Sequence, residues 1–148
     1  MQDKIKIVGD QQAADEILQF LANWDEVICQ LKIENIAESC AADVNFFDAS
    51  CEMRGLMAYQ KMWEFYREYF REGLKVFRRE LVIHADPDIA FLHCYSKIDD
   101  KSGIPTPGIS WCRNTIGMKK TQTLWKIVHQ HISVPVDIVT HQSKVITF

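Results

Sequence analysis

Apolar side chains recur every three or four residues between positions 17 and 31, and this spacing predicts an amphipathic helix. Asp10 is a suitable N-cap residue for it, because a carboxylate can accept hydrogen bonds from free backbone N–H groups of the first turn. The apolar positions are Ile17, Phe20, Leu21, Trp24, Val27, Ile28 and Leu31. They define one broad face that we expect to be buried. A shorter helical turn is predicted over Ile36, Ala37 and Cys40.

A second long helix is predicted after Gly55, over "LMAYQKMWEFYREYFRE". Its aromatic residues fall on one face and form a stripe of Tyr59, Trp63, Tyr66 and Phe70. A stripe of this kind is far more often core than cofactor site, so we interpret it as part of the core.

From Leu74 onward the helical spacing gives way to β-rich runs. These are "LKVFRRELVIHA", "DIAFLHCYSKID", "GISWCRNTIGMKK" and "LWKIVHQHISVPV", separated by "DPD", "DKSGIPTPG" and "KTQT". The separators are rich in turn-forming residues, which predicts an antiparallel meander. A further short strand is predicted at "DVNFFDA", Asp43–Ala49. Helices first and strands afterwards indicate a single α+β domain over residues 1–148.

Composition narrows the class of protein. With 148 residues, 47% of them hydrophobic, the chain can bury a sizeable core. A net charge of −3 gives no electrostatic footprint for nucleic acid, and no apolar run is long enough for a membrane helix. The five cysteines are scattered without a CxxC pair, and the N-terminal residues lack the apolar core of a signal peptide. Reduced thiols in the cytoplasm are therefore expected.

Two histidines stand one residue apart in "WKIVHQHISVPVD", which runs from Trp125 to Asp137. Because successive side chains of a strand point to opposite faces, His129 and His131 are predicted to share one face. They could be metal ligands, catalytic groups or packed residues on a buried surface. No third ligand is evident nearby in the sequence, so a metal site is the least favoured interpretation.

Several segments form a pattern of their own: "AADVNFFDA", Gly55 with "AYQKMWEFY", "DIAFLHCY", and the closing pair "WCRNTIGMKK" and "LWKIVHQHISVP". Together they resemble SnoaL-like and ketosteroid-isomerase-like proteins of the nuclear-transport-factor-2-like superfamily. The closing pair is also similar to the end of the association (hub) domain of calcium/calmodulin-dependent protein kinase II. The resemblance covers about residues 12–137. It implies a cystatin-like α+β cone, in which N-terminal helices pack on a strongly curved, mostly antiparallel sheet around a conical pocket.

The resemblance implies a catalytic role for Asp48, which falls where steroid isomerases place the aspartate that shuttles a proton. A carboxylate beside an apolar pocket can act as a general base, since burial favours its protonated form. Alternatively, Asp48 ends its strand and accepts backbone N–H bonds in the "DAS" turn. The enolate-stabilising tyrosine and acid of the isomerases fall near Trp24 and Arg113. The usual steroid isomerisation is therefore not expected.

The resemblance to the hub domain implies that Arg113 lines the pocket, as the matching arginine of that domain lines a carboxylate-binding pocket. A buried guanidinium requires an anionic partner. Here the partner would be a bound carboxylate or an internal acid such as Asp48 or Glu52. The same comparison turns His93 toward the pocket.

The hub comparison also implies which face each residue of the last strand takes. Gln130 and Ile132 are expected to face the cavity, and His129 and His131 the outer face. Members of the superfamily commonly dimerise through that outer face, so a homodimer with both histidines at the interface is expected. A β-bulge would reverse the two faces. Neither a metal nor another cofactor is implied.

Two functions are compatible with the sequence. The first is a cytoplasmic, cofactor-independent isomerase, cyclase or hydratase acting on a small hydrophobic carbonyl compound or acid. Asp48 would be its base, Arg113 and His93 its electrophilic stabilisers, and Trp63 and Tyr66 walls of its pocket. The second is a non-catalytic ligand-binding or hub-like oligomerisation module with the same pocket. A structural dimer with a filled pocket is a third possibility, because the position of Trp63 permits both wall and plug.

Overall fold

Helices occur only in the N-terminal half of the chain, and the C-terminal half is built from four long strands. The computed structural model describes residues 3–148. The helices are α1 (Gln11–Cys29), α2 (Ile33–Glu38) and α3 (Leu56–Tyr66), and one 3-10 turn, Arg67–Tyr69, follows α3. The strands are β1 (Lys6–Gly9), β2 (Cys40–Phe47), β3 (Glu52–Arg54), β4 (Leu74–Ala85), β5 (Ile89–Asp100), β6 (Cys112–Thr121) and β7 (Leu124–Ser133).

Helix α1 begins where the sequence predicts it. The Oδ1 atom of Asp10 accepts a hydrogen bond of 2.7 Å from the backbone N–H of Ala13, which satisfies one free donor of the first turn. The centre of the predicted apolar face is buried at Ile17, Leu21, Trp24 and Ile28. The second helical turn ends earlier than predicted, because Cys40 begins β2 instead of closing α2.

The predicted meander is confirmed as the antiparallel series β4-β5-β6-β7 within a seven-stranded sheet. Two pairings extend it: β1 pairs in parallel with β4, and β2 pairs in parallel with β7 and carries β3 at the far edge. The sequence pattern predicts neither β1 nor β3. The helices pack against one face of this curved, mostly antiparallel sheet, which confirms the predicted α+β class.

Two bulges change which side chains face the helices. In β4 the register shifts between Arg79 and Val82, where Glu80 has a φ of 53°. In β7 the residue added is Val128, because Gly117 pairs with His129 and Met118 already pairs with Ile127. Each bulge adds one residue to its strand and so reverses the alternation of side chains beyond it.

The core lies between the helices and the inner face of the sheet. Its largest fully buried side chains include Trp24, Tyr59, Ile83, Leu92, Ile116 and Met118. Tyr59 packs against Phe46 and Trp63, with ring centroids 5.4 and 6.1 Å away. Its hydroxyl has no hydrogen-bond partner among the described residues. Burial raises the pKa of Tyr59 well above its usual value, so the hydroxyl stays neutral.

Replacing Tyr59 with Phe should leave the free energy of unfolding unchanged or raise it. The change removes a buried hydroxyl that lacks a partner, and keeps the ring that fills the core. Chemical denaturation of the two proteins measures the difference. Tyr59→Leu is the control, because it removes the ring contacts as well and should cost about 2 kcal/mol or more. A Tyr59→Phe variant less stable than the wild type by more than about 1 kcal/mol would mean that the hydroxyl is bonded.

Candidate functional site

A cavity of about 340 Å³ lies between the helices and the inner face of the sheet. Its walls are mainly apolar, and a small number of polar and charged side chains lie among them. The apolar lining consists of Trp24, Ile28, Phe46, Met62, Trp63, Phe70, Val76, Ile98, Ile109 and Ile132. The polar lining consists of Asp48, Tyr66, Arg78, Ser96, Lys97, Ser110, Cys112, Asn114 and Gln130. A concave, mostly apolar space with a few polar groups is the usual form of a small-molecule site.

Trp24 forms part of the wall from α1, and Trp63 and Tyr66 from α3. Trp63 is 8% exposed and makes edge contacts with Phe70 and Tyr66, at centroid distances of 5.9 and 6.4 Å. It therefore contributes both to the core and to the wall, and the aromatic stripe leaves the cavity open.

Asp48 follows directly on β2 and reaches the cavity beside Tyr66. The Tyr66 hydroxyl donates a hydrogen bond of 3.3 Å to Asp48 Oδ2. No backbone N–H of the described residues donates to this carboxylate, so the turn-forming alternative is not seen. Burial, followed by the charge of Asp48, raises the pKa of Tyr66. Tyr66 therefore remains a donor at neutral and moderately alkaline pH.

Arg78 is the guanidinium that faces the cavity, and its charge is paired with Asp25 of α1. Its Nη2 and Nε atoms donate to the two carboxylate oxygens of Asp25 at 2.6 and 3.1 Å. Its side chain is 11% exposed. Burial alone would lower the pKa of Arg78, but the hydrogen bonds and the charge of Asp25 outweigh it and raise the pKa. The bidentate pair ties α1 to β4 and leaves no free charge on Arg78.

Lys97 borders the cavity, but its ammonium group lies on the outer side of the sheet beside Phe77 and Trp111, and its charge is already paired. Its Nζ donates to Asp99 Oδ2 at 2.9 Å and lies 5.3 Å from the centre of the Trp111 ring. Asp99 accepts a further bond from the backbone N–H of Thr106. A hydrogen bond from the Thr106 side chain, followed by the bond from Lys97, lowers the pKa of Asp99. Asp99 thus anchors the loop between β5 and β6 beside the cavity.

Three buried polar side chains on neighbouring strands form a hydrogen-bonded chain on the sheet side of the cavity. Gln130 Nε2 donates to Asn114 Oδ1, and Asn114 Nδ2 donates to Ser96 Oγ, each at 3.1 Å. The three residues are only 4–7% exposed. Gln130 faces the cavity as predicted, because the bulge at Val128 reverses the alternation set by Trp125 and Ile127.

The predicted positions of Arg113 and His93 are wrong. On β6 the buried positions are Asn114, Ile116 and Met118, so Arg113 lies on the outer face and is exposed. On β5 the buried positions are Leu92, Cys94 and Ser96, and His93 is likewise exposed on the outer face. Neither residue lines the cavity, and Arg113 has no ion pair with Asp48 or Glu52. The resemblance misplaced each by one residue, which is enough to change the face.

The missed residues are Arg78, Ser96, Lys97 and Asn114. Ser96 and Asn114 each lie two residues from an apolar residue that is buried, so the period-two alternation of a strand could have predicted that they face inward. Arg78 carries no such signal, because the bulge that directs it inward is not visible in the pattern.

The outer face of the sheet carries four of the five histidines: His84, His93, His129 and His131. His129 donates from Nδ1 to the backbone oxygen of Asn45 at 3.0 Å. Phe47 packs edge-on against His129 and His131, at 4.9 and 5.6 Å between centroids. The prediction that the two histidines share the outer face is confirmed; their place in a subunit interface stays a prediction.

Within residues 3–148, no group of three or more possible metal ligands lies close enough together to hold an ion. In the same part of the chain, no helix combines the length and apolar character needed to cross a membrane.

Comparison with known proteins identifies the family and the fold. A model of the SnoaL-like domain matches residues 17–137. A solved structure of a nuclear-transport-factor-2-like protein of unknown function from Pseudomonas putida KT2440 is similar, with a TM-score of 0.82 and 25% identity. That match covers 92% of this chain and 96% of the other. No curated protein matches the sequence significantly.

Two further similar structures carry provisional enzyme names. One, provisionally named a scytalone dehydratase, comes from Novosphingobium aromaticivorans; it is 16% identical with a TM-score of 0.69, and the match covers 80% of this chain and 81% of that one. The other, provisionally named a ketosteroid isomerase, comes from Shewanella frigidimarina; it is 23% identical with a TM-score of 0.64, over 86% and 99% of the two chains. At these identities the likeness establishes the cystatin-like cone fold and no activity.

Replacing Arg78 with Met should destabilise the protein by about 3 kcal/mol, because the change strands the partly buried carboxylate of Asp25. This is the lower end of the range for a broken buried pair, since Asp25 keeps some contact with solvent. Adding Asp25→Leu should recover much of the loss. Arg113→Met is the matched control on the outer face and should change stability by less than about 0.5 kcal/mol. Urea denaturation measures the free energy of unfolding of each variant. Equal losses in the two Met variants would contradict a buried Arg78 and an exposed Arg113.

Proposed function

The chain belongs to the SnoaL-like domain family, and we propose that it binds a small, neutral, largely apolar carbonyl compound and isomerises it by proton transfer, with Asp48 as the general base. The observation that carries this proposal is the placement of Asp48. Its carboxylate borders an apolar cavity, and its hydrogen-bond partner among the described side chains is Tyr66. One bond holds the carboxylate in place while the other oxygen remains able to accept a proton.

The charges around the cavity favour a neutral ligand over a carboxylate. Three charged residues border the space: Asp48, Arg78 and Lys97. The two cations are paired with Asp25 and Asp99, so the charge that has no counterion is that of Asp48. A bound carboxylate would meet this negative charge without a free cation to offset it. The hypothesis of a carboxylate ligand, which depended on Arg113, is therefore no longer supported. The hypothesis of a neutral carbonyl compound remains.

The remaining roles in the site follow from the same geometry. Trp24 and Trp63 form apolar walls that would hold a ring system, and Tyr66 would keep Asp48 oriented. Gln130 would bind the polar end of the ligand. No metal or other cofactor enters this proposal.

A non-catalytic binding module is the second candidate function. It is favoured by the absence of an unpaired cation among the described cavity residues, since an enolate would need strong stabilisation by charge or hydrogen bonds. Such a module would retain the same ligand without turnover.

We also propose a homodimer that forms through the outer sheet face and lies in the cytoplasm. The outer face exposes Phe47 and Phe91 beside the histidines, and His84 stacks on Phe91 at 4.5 Å between centroids. Aromatic side chains of this kind are enriched at protein interfaces. All five cysteines are unpaired, which supports a reducing compartment.

Replacing Asp48 with Asn should greatly slow any proton transfer that the cavity catalyses. Exchange of the α-hydrogens of 1-indanone for deuterium, followed by proton magnetic resonance in D₂O, measures this step without knowledge of the natural substrate. The variant should lose roughly 100-fold or more of the protein-catalysed rate, because the amide cannot accept the proton.

Arg113→Met serves as the control, because it lies on the other face of the sheet and should keep the full exchange rate. Equal rates in Asp48→Asn and the wild type would contradict Asp48 as the base. Binding of 1-indanone without catalysed exchange in the wild type would support the non-catalytic module.

Light scattering at micromolar concentration should give the mass of a dimer. Replacing Phe91 with Arg should convert it to a monomer, because the charge would have to be desolvated in the interface. Phe65 is the matched control: it is 66% exposed on α3, and Phe65→Arg should leave the dimer intact. A wild-type monomer, or a dimer that survives Phe91→Arg, would contradict an interface at this face.

A further inference from the structure

The chain of Gln130, Asn114 and Ser96 is the largest group of buried polar side chains in the cavity wall. It spans β7, β6 and β5, so each member is held by a different strand. Burying such groups costs free energy unless they are hydrogen-bonded, and the two bonds within the chain offset part of that cost. They do not use the full bonding capacity of the chain.

An unused acceptor lies at the Gln130 end. Gln130 Nε2 donates to Asn114, but its Oε1 accepts no hydrogen bond from the described residues. Among residues 3–148, buried polar side-chain atoms without a partner occur in Trp24, Tyr59 and Trp63 only. Oε1 of Gln130 is not one of them, because it is not fully enclosed by protein. The side chain lines the cavity. A ligand atom is therefore the partner that the cavity can offer to Oε1.

The direction of the chain can be reversed without loss of a bond. A side-chain amide has an acceptor and a donor of nearly the same shape. If both amides turn over, the Ser96 hydroxyl donates to Asn114 Oδ1, and Asn114 Nδ2 donates to Gln130 Oε1. Gln130 then presents its N–H to the cavity. One direction offers the ligand an acceptor, and the other offers it a donor.

We propose that Gln130, positioned by Asn114 and Ser96, is the specificity-determining contact for the neutral oxygen of the ligand. In one direction it accepts from a hydroxyl group, and in the other it donates to a carbonyl oxygen. The site can thus hold both the ketone and the hydroxyl form of a compound without a charged group. The inference rests on the proposed function, because it assigns a role within that same cavity.

Three compounds that share one ring system separate the contribution of the ligand's oxygen from that of its apolar ring. Indane has no oxygen, 1-indanol offers a hydroxyl, and 1-indanone offers a carbonyl. Titration calorimetry measures the dissociation constant of each with the wild type and the variants. Gln130→Met preserves the length of the side chain and removes its polar atoms. It should weaken 1-indanol and 1-indanone each about fivefold and leave indane unchanged or tighter.

A second variant tests the reversal itself. At about pH 10, above the pKa range that burial gives a carboxyl group, Asn114→Asp places an acceptor-only carboxylate between Gln130 and Ser96. Gln130 must then donate to residue 114 and present Oε1 to the cavity. The variant should keep its affinity for 1-indanol and lose about fivefold for 1-indanone. Met62→Leu changes an apolar part of the wall and should affect the three compounds alike.

The outcomes separate the inference from the proposed function. If indane binds but Gln130→Met weakens all three compounds equally, the chain is only structural and the inference is overturned. Equal weakening of 1-indanol and 1-indanone by Asn114→Asp would overturn the reversal. If none of the three compounds binds the wild-type protein, the cavity does not hold such ligands, and the proposed function is overturned with the inference.

Discussion

The alternation of side chains along the strands decides the chemistry of the cavity, because it determines which residues face inward. One added residue in a strand exchanges its two faces. The bulge in β4 directs Arg78 inward, and the bulge in β7 directs Gln130 inward. Without them Arg79 and His129 would occupy those positions. Bulges of this kind commonly redirect a side chain beside a functional site.

The inward placement of Arg78 then sets the electrostatics of the protein. A guanidinium cannot lose its charge at ordinary pH, so its burial requires an acid, and α1 supplies Asp25. The ion pair serves packing, since it fixes α1 on β4, and it also removes Arg78 as a free anion-binding group. Lys97 is neutralised in the same way by Asp99. The cavity therefore relies on uncharged hydrogen bonds and on Asp48, which is consistent with a neutral ligand.

The sequence predicts most of the fold and about half of the site, and the difference has a physical cause. Helix α1, its Asp10 cap and the four-strand meander follow from periodicity and turn residues, which are local signals. Asp48, Trp24, Trp63, Tyr66 and Gln130 all border the cavity. Arg113 and His93 are assigned to the wrong face of the sheet, because the face that a residue takes is harder to infer than the presence of the strand. Arg78 was missed because its bulge depends on pairing with β5, which is not a local property.

The pairing of β2 with β7 brings the proposed base, Asp48, near the proposed oxygen anchor, Gln130. Phe46 of β2 lies opposite Gln130 of β7, and Asp48 follows Phe46 by two residues. At about 3.3 Å per residue, the backbones of Asp48 and Gln130 are offset by roughly 7 Å along the strands. A ligand whose oxygen binds Gln130 would then extend its neighbouring carbon atoms toward the carboxylate. The acidic hydrogens of a ketone lie on those carbons. The register of this parallel strand pair is therefore compatible with the proposed roles of Asp48 as base and Gln130 as oxygen anchor.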